Sequence, residues 1–86
     1  MTKNKAYTAL AEATYTVYLK GDVVIVHAEH IAYEFYRVRR FFNGLLMADT
    51  NGSYAEMDFV MRMMAEFYGE PMPLPHYDAI DYEEEK

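Results

Sequence analysis

The chain has 86 residues, a formal net charge of −6 and no cysteine. Its length fits one small domain, and a content of 52% apolar and 16% aromatic residues excludes a chain that is disordered throughout. The missing cysteine excludes disulfides, thiol nucleophiles and thiolate metal sites. The net acidity argues against direct nucleic-acid binding, because such binding needs cations that neutralise phosphates.

The sequence offers no signal for membrane insertion or export. Its longest uncharged apolar run, Val23–Val26, is far shorter than the ~20 residues of a membrane-spanning helix. The segment Met1–Ala13 contains two lysines and no continuous apolar stretch, so it does not have the pattern of a signal peptide. We therefore expect a cytoplasmic protein without a membrane partner.

The N-terminal part predicts a short helix or frayed arm followed by a β-hairpin. Small apolar residues follow a helical spacing within residues 1–13. Thr14–Lys20 alternates between two faces and is rich in β-branched and aromatic residues, which is typical of a strand. Gly21-Asp22 separates this strand from Val23–Val26, and a glycine at the first turn position suits a type II′ hairpin.

The segment Ala28–Asp49 permits both a helix and strands. In a helix, its apolar residues would form one stripe, with Glu29 near the positive end of the macrodipole. In strands, Asn43-Gly44 between two apolar pairs would be a strong hairpin signal. We favour strands. One strand face would then carry the residues Glu34, Tyr36, Val38, Arg40 and Phe42.

The segment Tyr54–Tyr68 predicts a helix that follows a turn at Asn51-Gly52. Ser53 and Glu56 have the spacing of a capping box, and Gly69 is suited to end the helix. The apolar residues that recur at helical spacing are Met57, Val60, Met61, Met64, Phe67 and Tyr68. Because one helix cannot bury all its methionines and aromatic rings against a small sheet, we expect some apolar surface to remain exposed.

The C-terminal part predicts an extended spacer and an acidic tail. Prolines alternate with other residues in Glu70–Pro75, which fixes an extended conformation that lies across the core. We expect one domain over residues 1–75 and an acidic, tyrosine-rich tail over residues 76–86. The fold class is α+β, with a small antiparallel sheet, a hairpin or a meander, packed against a C-terminal helix and joined by a possible short N-terminal helix.

Residues suited to catalysis or to metal binding do not converge in the sequence. In a strand, His27 and Glu29 share a face and His30 points away, whereas a zinc site needs three or four converging ligands. Ser53 is explained by helix capping, and each of the four glycines by a turn or a cap. We expect a protein that is not an enzyme, with no cofactor and no metal.

Charge is distributed unevenly and points to a protein partner with a basic surface. Residues 1–40 contain six cations and four acids, and residues 41–86 contain two cations and ten acids. Acids among tyrosines can imitate a row of phosphates and compete for a cationic groove. The partner-binding residues that we predict are Glu56, Asp58, Glu66, Glu70, Tyr77, Asp78, Asp81, Tyr82, Glu83, Glu84 and Glu85.

Two other binding surfaces are compatible with the sequence. The group of methionines and aromatic residues on the predicted helix could form a homodimer surface, since methionine-rich faces adapt to partners. Arg37, Arg39 and Arg40 among aromatic residues could bind single-stranded nucleic acid, although the acidic remainder of the chain would repel its backbone.

Residues 14–50 match a known order of strand and turn residues. The matching positions are Tyr15–Gly21, Val24, Val26, Ala28-Glu29, Val38, Phe41, Asn43-Gly44 and Met47–Asp49. In this order the segment resembles a family of small uncharacterised bacterial and phage proteins built on a β-meander, which implies a sheet and no known activity. Ala32–Tyr36 stands where the family has a Gly or Asp turn.

In size, acidity and lack of catalytic residues, the chain is similar to small phage-encoded inhibitors such as anti-CRISPR proteins. This similarity implies an anti-defence inhibitor that occludes a basic, nucleic-acid-binding site on a target protein in the host cytoplasm. A structural or regulatory homodimerisation module is the alternative.

Overall fold

The structure, a computed structural model, describes residues 9–77 and contains one sheet and one helix in that range. The elements are β1 (Ala11–Leu19), β2 (Asp22–Ala32), β3 (Phe35–Phe42), β4 (Leu45–Gly52) and α1 (Tyr54–Tyr68). The strands form an antiparallel meander in the order β1-β2-β3-β4, which confirms the predicted α+β fold. Within the described range, no helix has the length and apolar character that crossing a membrane would require.

The N-terminal helix that we expected over residues 1–13 falls mostly outside the described residues. Ala11–Ala13, the end of that segment, already belong to β1 and pair with β2. The expectation was wrong for these three residues. Their alternating burial shows that alanine's helix preference yields here to pairing in the sheet.

Two hairpins end in turns whose residues have positive φ angles. Leu19 pairs with Asp22, so the first turn is Lys20-Gly21, with φ angles of 45° and 91°. The predicted Gly21-Asp22 turn of type II′ was therefore wrong by one residue, and the turn is of type I′. Asn43-Gly44, with φ angles of 50° and 90°, is the predicted hairpin turn.

The strand interpretation of Ala28–Asp49 is confirmed, although β2 and β3 meet without a glycine. Ala32 pairs with Phe35 across the two-residue turn Tyr33-Glu34, and the register shifts between His30 and Ala32. This bulge adapts the strands to a turn that lacks a positive-φ residue. Asn51-Gly52, predicted as a turn, instead ends β4 and pairs with β3.

Helix α1 has the predicted bounds and caps. Ser53 Oγ accepts a hydrogen bond from the Glu56 backbone N–H at 3.3 Å, and Glu56 Oε1 accepts one from the Ser53 N–H at 2.9 Å. Gly69 ends the helix at a φ of 74° and donates to the Ala65 carbonyl. The capping box and the left-handed residue thus fix both ends of the helix.

The core lies between one face of the sheet and two covering segments. The first is α1, which packs on β3 and β4 and buries Met57 and Met61. The second is the segment 71–77, hereafter the C-terminal strap, which buries Met72 and Leu74 as the predicted extended spacer would. The sheet residues of the core are Val17, Val24, Val26, Ala28, Tyr36 and Val38.

The opposite face of the sheet, hereafter the open face, is not covered by any described element. Its side chains are exposed or half-buried from β1 to β4, with the exception of Glu29. The predicted separation of faces in β3 is confirmed, since Tyr36 and Val38 are buried and their neighbours Phe35 and Arg37 are not.

Candidate interaction surfaces

The acidic residues predicted to bind a partner do not form one patch. Glu56 lies in the first turn of α1, where its carboxylate completes the capping box, and Asp58 binds Arg62 at 2.7 Å. This ion pair raises the pKa of Arg62, chiefly through the hydrogen bond to Asp58. Glu66 lies in the last turn, ten residues and therefore about 15 Å along the helix axis from Glu56.

The remaining predicted acids lie at or beyond the end of α1. Glu70 is exposed just past the helix, and Tyr77 ends the described range. The tail residues Asp78, Asp81, Tyr82, Glu83, Glu84 and Glu85 lie outside the described residues. The contacts of the folded unit extend at least to Tyr77, whose backbone N–H donates to His30 Nδ1 at 2.9 Å.

The three arginines that could have formed a basic patch are divided between the two faces of the sheet. Arg37 and Arg39 lie on the open face, where Arg37 binds Asp49 through two hydrogen bonds of 2.9 and 2.7 Å. Arg40 lies on the other face and lines a shallow groove beneath Met63 and Phe67. The structure therefore does not bring the three guanidinium groups together.

A stripe of exposed apolar side chains runs along α1. Phe59, Met63 and Phe67 follow each other at intervals of four residues and are 62%, 50% and 80% exposed. Residues four apart lie on one helix face, so the three side chains are neighbours. The stripe confirms that the helix cannot bury all its methionines and aromatic rings.

The stripe points away from the C-terminal strap and towards the β4 edge. The groove between α1 and the strap is lined on the helix side by Asp58, Arg62 and Ala65. At 100° per residue, these positions lie on the opposite flank of the helix from Met63 and Phe67. The strap lies over the β1–β2 side of the sheet. The stripe therefore faces the opposite side, where β4 is the edge strand.

Strand β4 adds exposed apolar side chains at this edge. It is the last strand of the sheet, and Leu45, Leu46 and Met47 are more than half exposed. The register with β3 shifts next to Met47, which interrupts a regular ladder at this point. Exposed apolar edge strands are pairing sites for other chains. By the register with β3, Leu45 and Met47 lie on the α1 side of the sheet and Leu46 on the open face. We call Leu45 and Met47 with Phe59, Met63 and Phe67 the β4–α1 surface.

A network of ionisable side chains covers part of the open face. Its members are Glu12, His27, Glu29, Arg37, Arg39 and Asp49. The hydrogen bond from Arg37 lowers the pKa of Asp49 below its ordinary value, and the charges of Arg37 and Arg39 act in the same direction. Within the described residues, the two buried side-chain nitrogens without a hydrogen-bond partner, His27 Nε2 and Arg39 Nε, both belong to this network.

The C-terminal strap is held by aromatic rings and hydroxyl groups of the sheet. The Tyr15 hydroxyl donates to the Pro73 carbonyl at 2.5 Å. The His30 ring stacks on Tyr36 at 4.1 Å and on His76 at 5.0 Å between ring centroids. Burial raises the pKa of both Tyr15 and Tyr36, and the negative charge of Glu34 raises the pKa of Tyr36 further.

Sequence reasoning found part of these surfaces. It anticipated leftover apolar surface on α1 but not its position, although Phe59, Met63 and Phe67 recur at intervals of four. It did not connect Glu12 with His27, because residues 1–13 were assigned to a helix or an arm. Only the pairing of β1 with β2 places Glu12 beside Glu29.

Comparisons with models of protein families, with curated proteins and with solved structures find no match to this chain. The resemblance of residues 14–50 to phage and bacterial β-meander proteins therefore stays a prediction.

Proposed function

We propose that this protein is a non-catalytic binding module that associates with a second copy of itself through the β4–α1 surface. The observation that carries the proposal is the exposed stripe of Phe59, Met63 and Phe67, on the flank of α1 that faces away from the C-terminal strap. Contiguous exposed apolar side chains of this size are typical of protein interaction sites.

The dimensions of the fold suit a two-fold arrangement. α1 lies over β3 and β4, so its axis is set back from the β4 edge by roughly half the ~4.8 Å strand spacing. Two copies with their β4 edges side by side would have helix axes about 10 Å apart, which is the separation of packed helices. Antiparallel stripes would then place Phe59 against Phe67 of the second copy, with Met63 in the middle.

Side chains carry this contact more than backbone pairing does. Met63 lies ten residues after Ser53, which is about 15 Å along α1. The same distance along β4 corresponds to between four and five residues before Ser53. That point falls at Ala48 and Asp49, one to two residues past exposed Met47, where the bulge interrupts the ladder. The apolar groups of both elements therefore meet at the centre of the proposed contact.

The net charge of the chain opposes this association and makes it depend on salt concentration. Two chains of net charge −6 repel each other, and salt screens this repulsion over distances beyond about 8–10 Å. Apolar contacts are not weakened by moderate salt. We therefore expect the dimer to become tighter when the salt concentration rises.

Sedimentation equilibrium tests the proposal. We expect the full chain to be dimeric at high concentration, and we expect Phe67→Glu or Met63→Glu to weaken dimerisation at least tenfold, because central aromatic and apolar contacts dominate interfaces. The matched control is Tyr18→Glu, which alters an equally exposed ring on β1 at the other edge of the sheet. A wild-type chain that stays monomeric at high concentration contradicts the proposal.

A second candidate function is the occlusion of a basic, nucleic-acid-binding site by the acidic half of the chain, as in a phage-encoded, anti-CRISPR-like inhibitor. It is favoured by the position of Glu66, an acid in the last turn of α1, where the macrodipole disfavours negative charge and that turn contains no basic residue. An acidic residue at a position where its charge lowers the stability of the helix is a candidate for a binding role.

Capture from host lysate tests this second function. Neutralising Asp78, Asp81 and Glu83–Glu85 to amides should abolish capture of a basic target, and raising the salt concentration should weaken it. Capture by the neutralised chain at wild-type levels contradicts it. The opposite salt dependence separates this function from self-association.

A further inference from the structure

We propose that Glu12, His27 and Glu29 form a binding site for one divalent transition-metal ion of the Zn²⁺ class on the open face of the sheet. Glu12 on β1 pairs with Glu29 on β2, and His27 lies two residues before Glu29 on the same face. One ligand atom from each of the three residues lies within 4.8 Å of the other two. The site is independent of the proposed self-association.

The first support is the surroundings of His27 Nε2. This atom is 3.2 Å from Glu12 Oε1 and 3.6 Å from Glu29 Oε2. Neither approach has hydrogen-bond geometry, and the buried nitrogen has no hydrogen-bond partner among the described residues. A buried ring nitrogen that has no hydrogen-bond partner and lies within 3.6 Å of two carboxylates is a group that a cation bound between the three residues would satisfy.

The second support is the spacing of the ligand atoms. Zinc binds histidine nitrogen and carboxylate oxygen at about 2.0–2.2 Å in tetrahedral sites. The ligands of such a tetrahedron are about 3.3–3.6 Å apart by geometry. The distances of 3.2 and 3.6 Å from His27 Nε2 agree with this spacing without movement of the ring.

The third support is the set of groups that orient the ligands. His27 Nδ1 lies 3.2 Å from Thr14 Oγ1, so its N–H can donate to the hydroxyl and leave the lone pair on Nε2. Metal-binding histidines are typically oriented in this way by an oxygen at the other nitrogen. Arg39 Nη2 donates to Glu29 Oε1 at 3.3 Å, which directs Oε2 towards His27.

The two carboxylates differ in burial, which suits one ligand that is fixed in the sheet and one that can move. The Glu29 side chain is only 8% exposed, whereas the Glu12 side chain is 60% exposed. Glu29 and His27 would hold the ion from the sheet, and Glu12 would close over it from solvent. One nitrogen and two oxygens without a thiolate suit Zn²⁺ more than Mg²⁺ or Ca²⁺, which prefer six or more oxygens.

Isothermal titration of the metal-free full chain with ZnCl2 tests the proposal. We expect one Zn²⁺ per chain, and at least tenfold weaker binding by His27→Gln and by Glu12→Gln. Thr14→Val should weaken binding about tenfold or more through loss of the orienting hydroxyl. Glu34→Gln is the matched control, because it removes an exposed carboxylate outside the site. Circular dichroism verifies that each variant is folded.

A spectroscopic measurement accompanies the titration. Co²⁺ in place of Zn²⁺ should show the visible absorption of a tetrahedral ion in the wild type and lose it in His27→Gln. Wild-type Zn²⁺ affinity in both His27→Gln and Glu12→Gln overturns the proposal. Phe67→Glu should bind Zn²⁺ like the wild type, so failure of the dimer and failure of the metal site are distinguished.

Discussion

The hydroxyl group of Tyr36 lies 2.6 Å from Nδ1 of His76, forty residues later in the chain. Tyr36 is fully buried in β3, and the His30 ring stacks on both Tyr36 and His76. His30 Nδ1 accepts a hydrogen bond from the Tyr77 backbone, and its Nε2 is 3.3 Å from the Tyr33 carbonyl. The ring therefore carries its proton on Nε2, and these contacts fasten the C-terminal strap to the sheet.

Tyr36→Phe should lower the free energy of unfolding by about 1 kcal/mol, because it removes one hydrogen bond and keeps the buried ring. Urea unfolding measures the change. Tyr18→Phe removes a hydroxyl from an exposed ring, and its effect should stay within about 0.5 kcal/mol of zero. Equal effects of the two substitutions would show that the contact with His76 does not hold the strap.

Alkaline pH should loosen the strap. The pKa values of Tyr15 and Tyr36 are raised above the ordinary 10.0 by burial, so the folded chain keeps these protons longer than the unfolded chain. Their contribution to stability is complete below about pH 10 and declines as the pH rises further, because the unfolded chain then binds fewer protons.

Unfolding of the wild type at pH 9 and pH 11 measures this decline. Substituting both Tyr15 and Tyr36 by phenylalanine should reduce it, whereas Tyr18→Phe should leave it unchanged. A decline in the double variant as steep as in the wild type would contradict the assignment.

Gly52→Ala should destabilise the start of α1. A Cβ atom at this position would overlap Oε1 of Glu56, the atom that accepts from the Ser53 N–H. The Glu56 side chain can move away, but it then loses its hydrogen bond with the Ser53 N–H, which costs about 0.5–1.5 kcal/mol of stability. In a Glu56→Ala background, the same Gly52→Ala change should have almost no effect. A double-mutant cycle measured by urea unfolding gives the coupling, and a coupling near zero would contradict this structural explanation.

Glu66→Lys should raise the free energy of unfolding by about 0.3–1 kcal/mol, because it replaces a disfavoured acid at the helix C-terminus by a favoured cation. Glu34→Lys makes the same change of net charge in the β2–β3 turn, so the difference between the two variants isolates the helix terminus from global charge. Thermal unfolding at low salt is the measurement. An equal gain in both variants would assign the effect to net charge alone.

The elements of the fold were largely predictable, since each depends on local chemistry. Ser53, Glu56 and Gly69 fixed the ends of α1, and Asn43-Gly44 decided the central hairpin. The Lys20-Gly21 turn was misplaced by one residue, because Gly21-Asp22 also suits a two-residue turn. The correct register is set by which faces of β1 and β2 are buried together.

The candidate sites were less predictable, because they depend on contacts between distant segments. The sequence places Glu12 fifteen residues before His27 in a segment that also suited a helix, so their convergence requires the register of β1 with β2. Phe59, Met63 and Phe67 repeat at the same interval as buried Met57 and Met61. Which stripe is buried is decided by the position of α1 on the sheet and by the C-terminal strap on its other flank.

Thiol crosslinking of Met63→Cys tests the proposed self-association most directly, because the natural chain has no cysteine and the new thiol lies in the middle of the stripe. A two-fold axis through the stripe places this thiol against the same thiol of the second copy. With a short bismaleimide, we expect Met63→Cys to form a covalent dimer efficiently, and Tyr18→Cys, at the other edge of the sheet, to stay monomeric. Equal crosslinking of both variants, or none at Met63→Cys when the chain is concentrated, would contradict a dimer built on the β4–α1 surface.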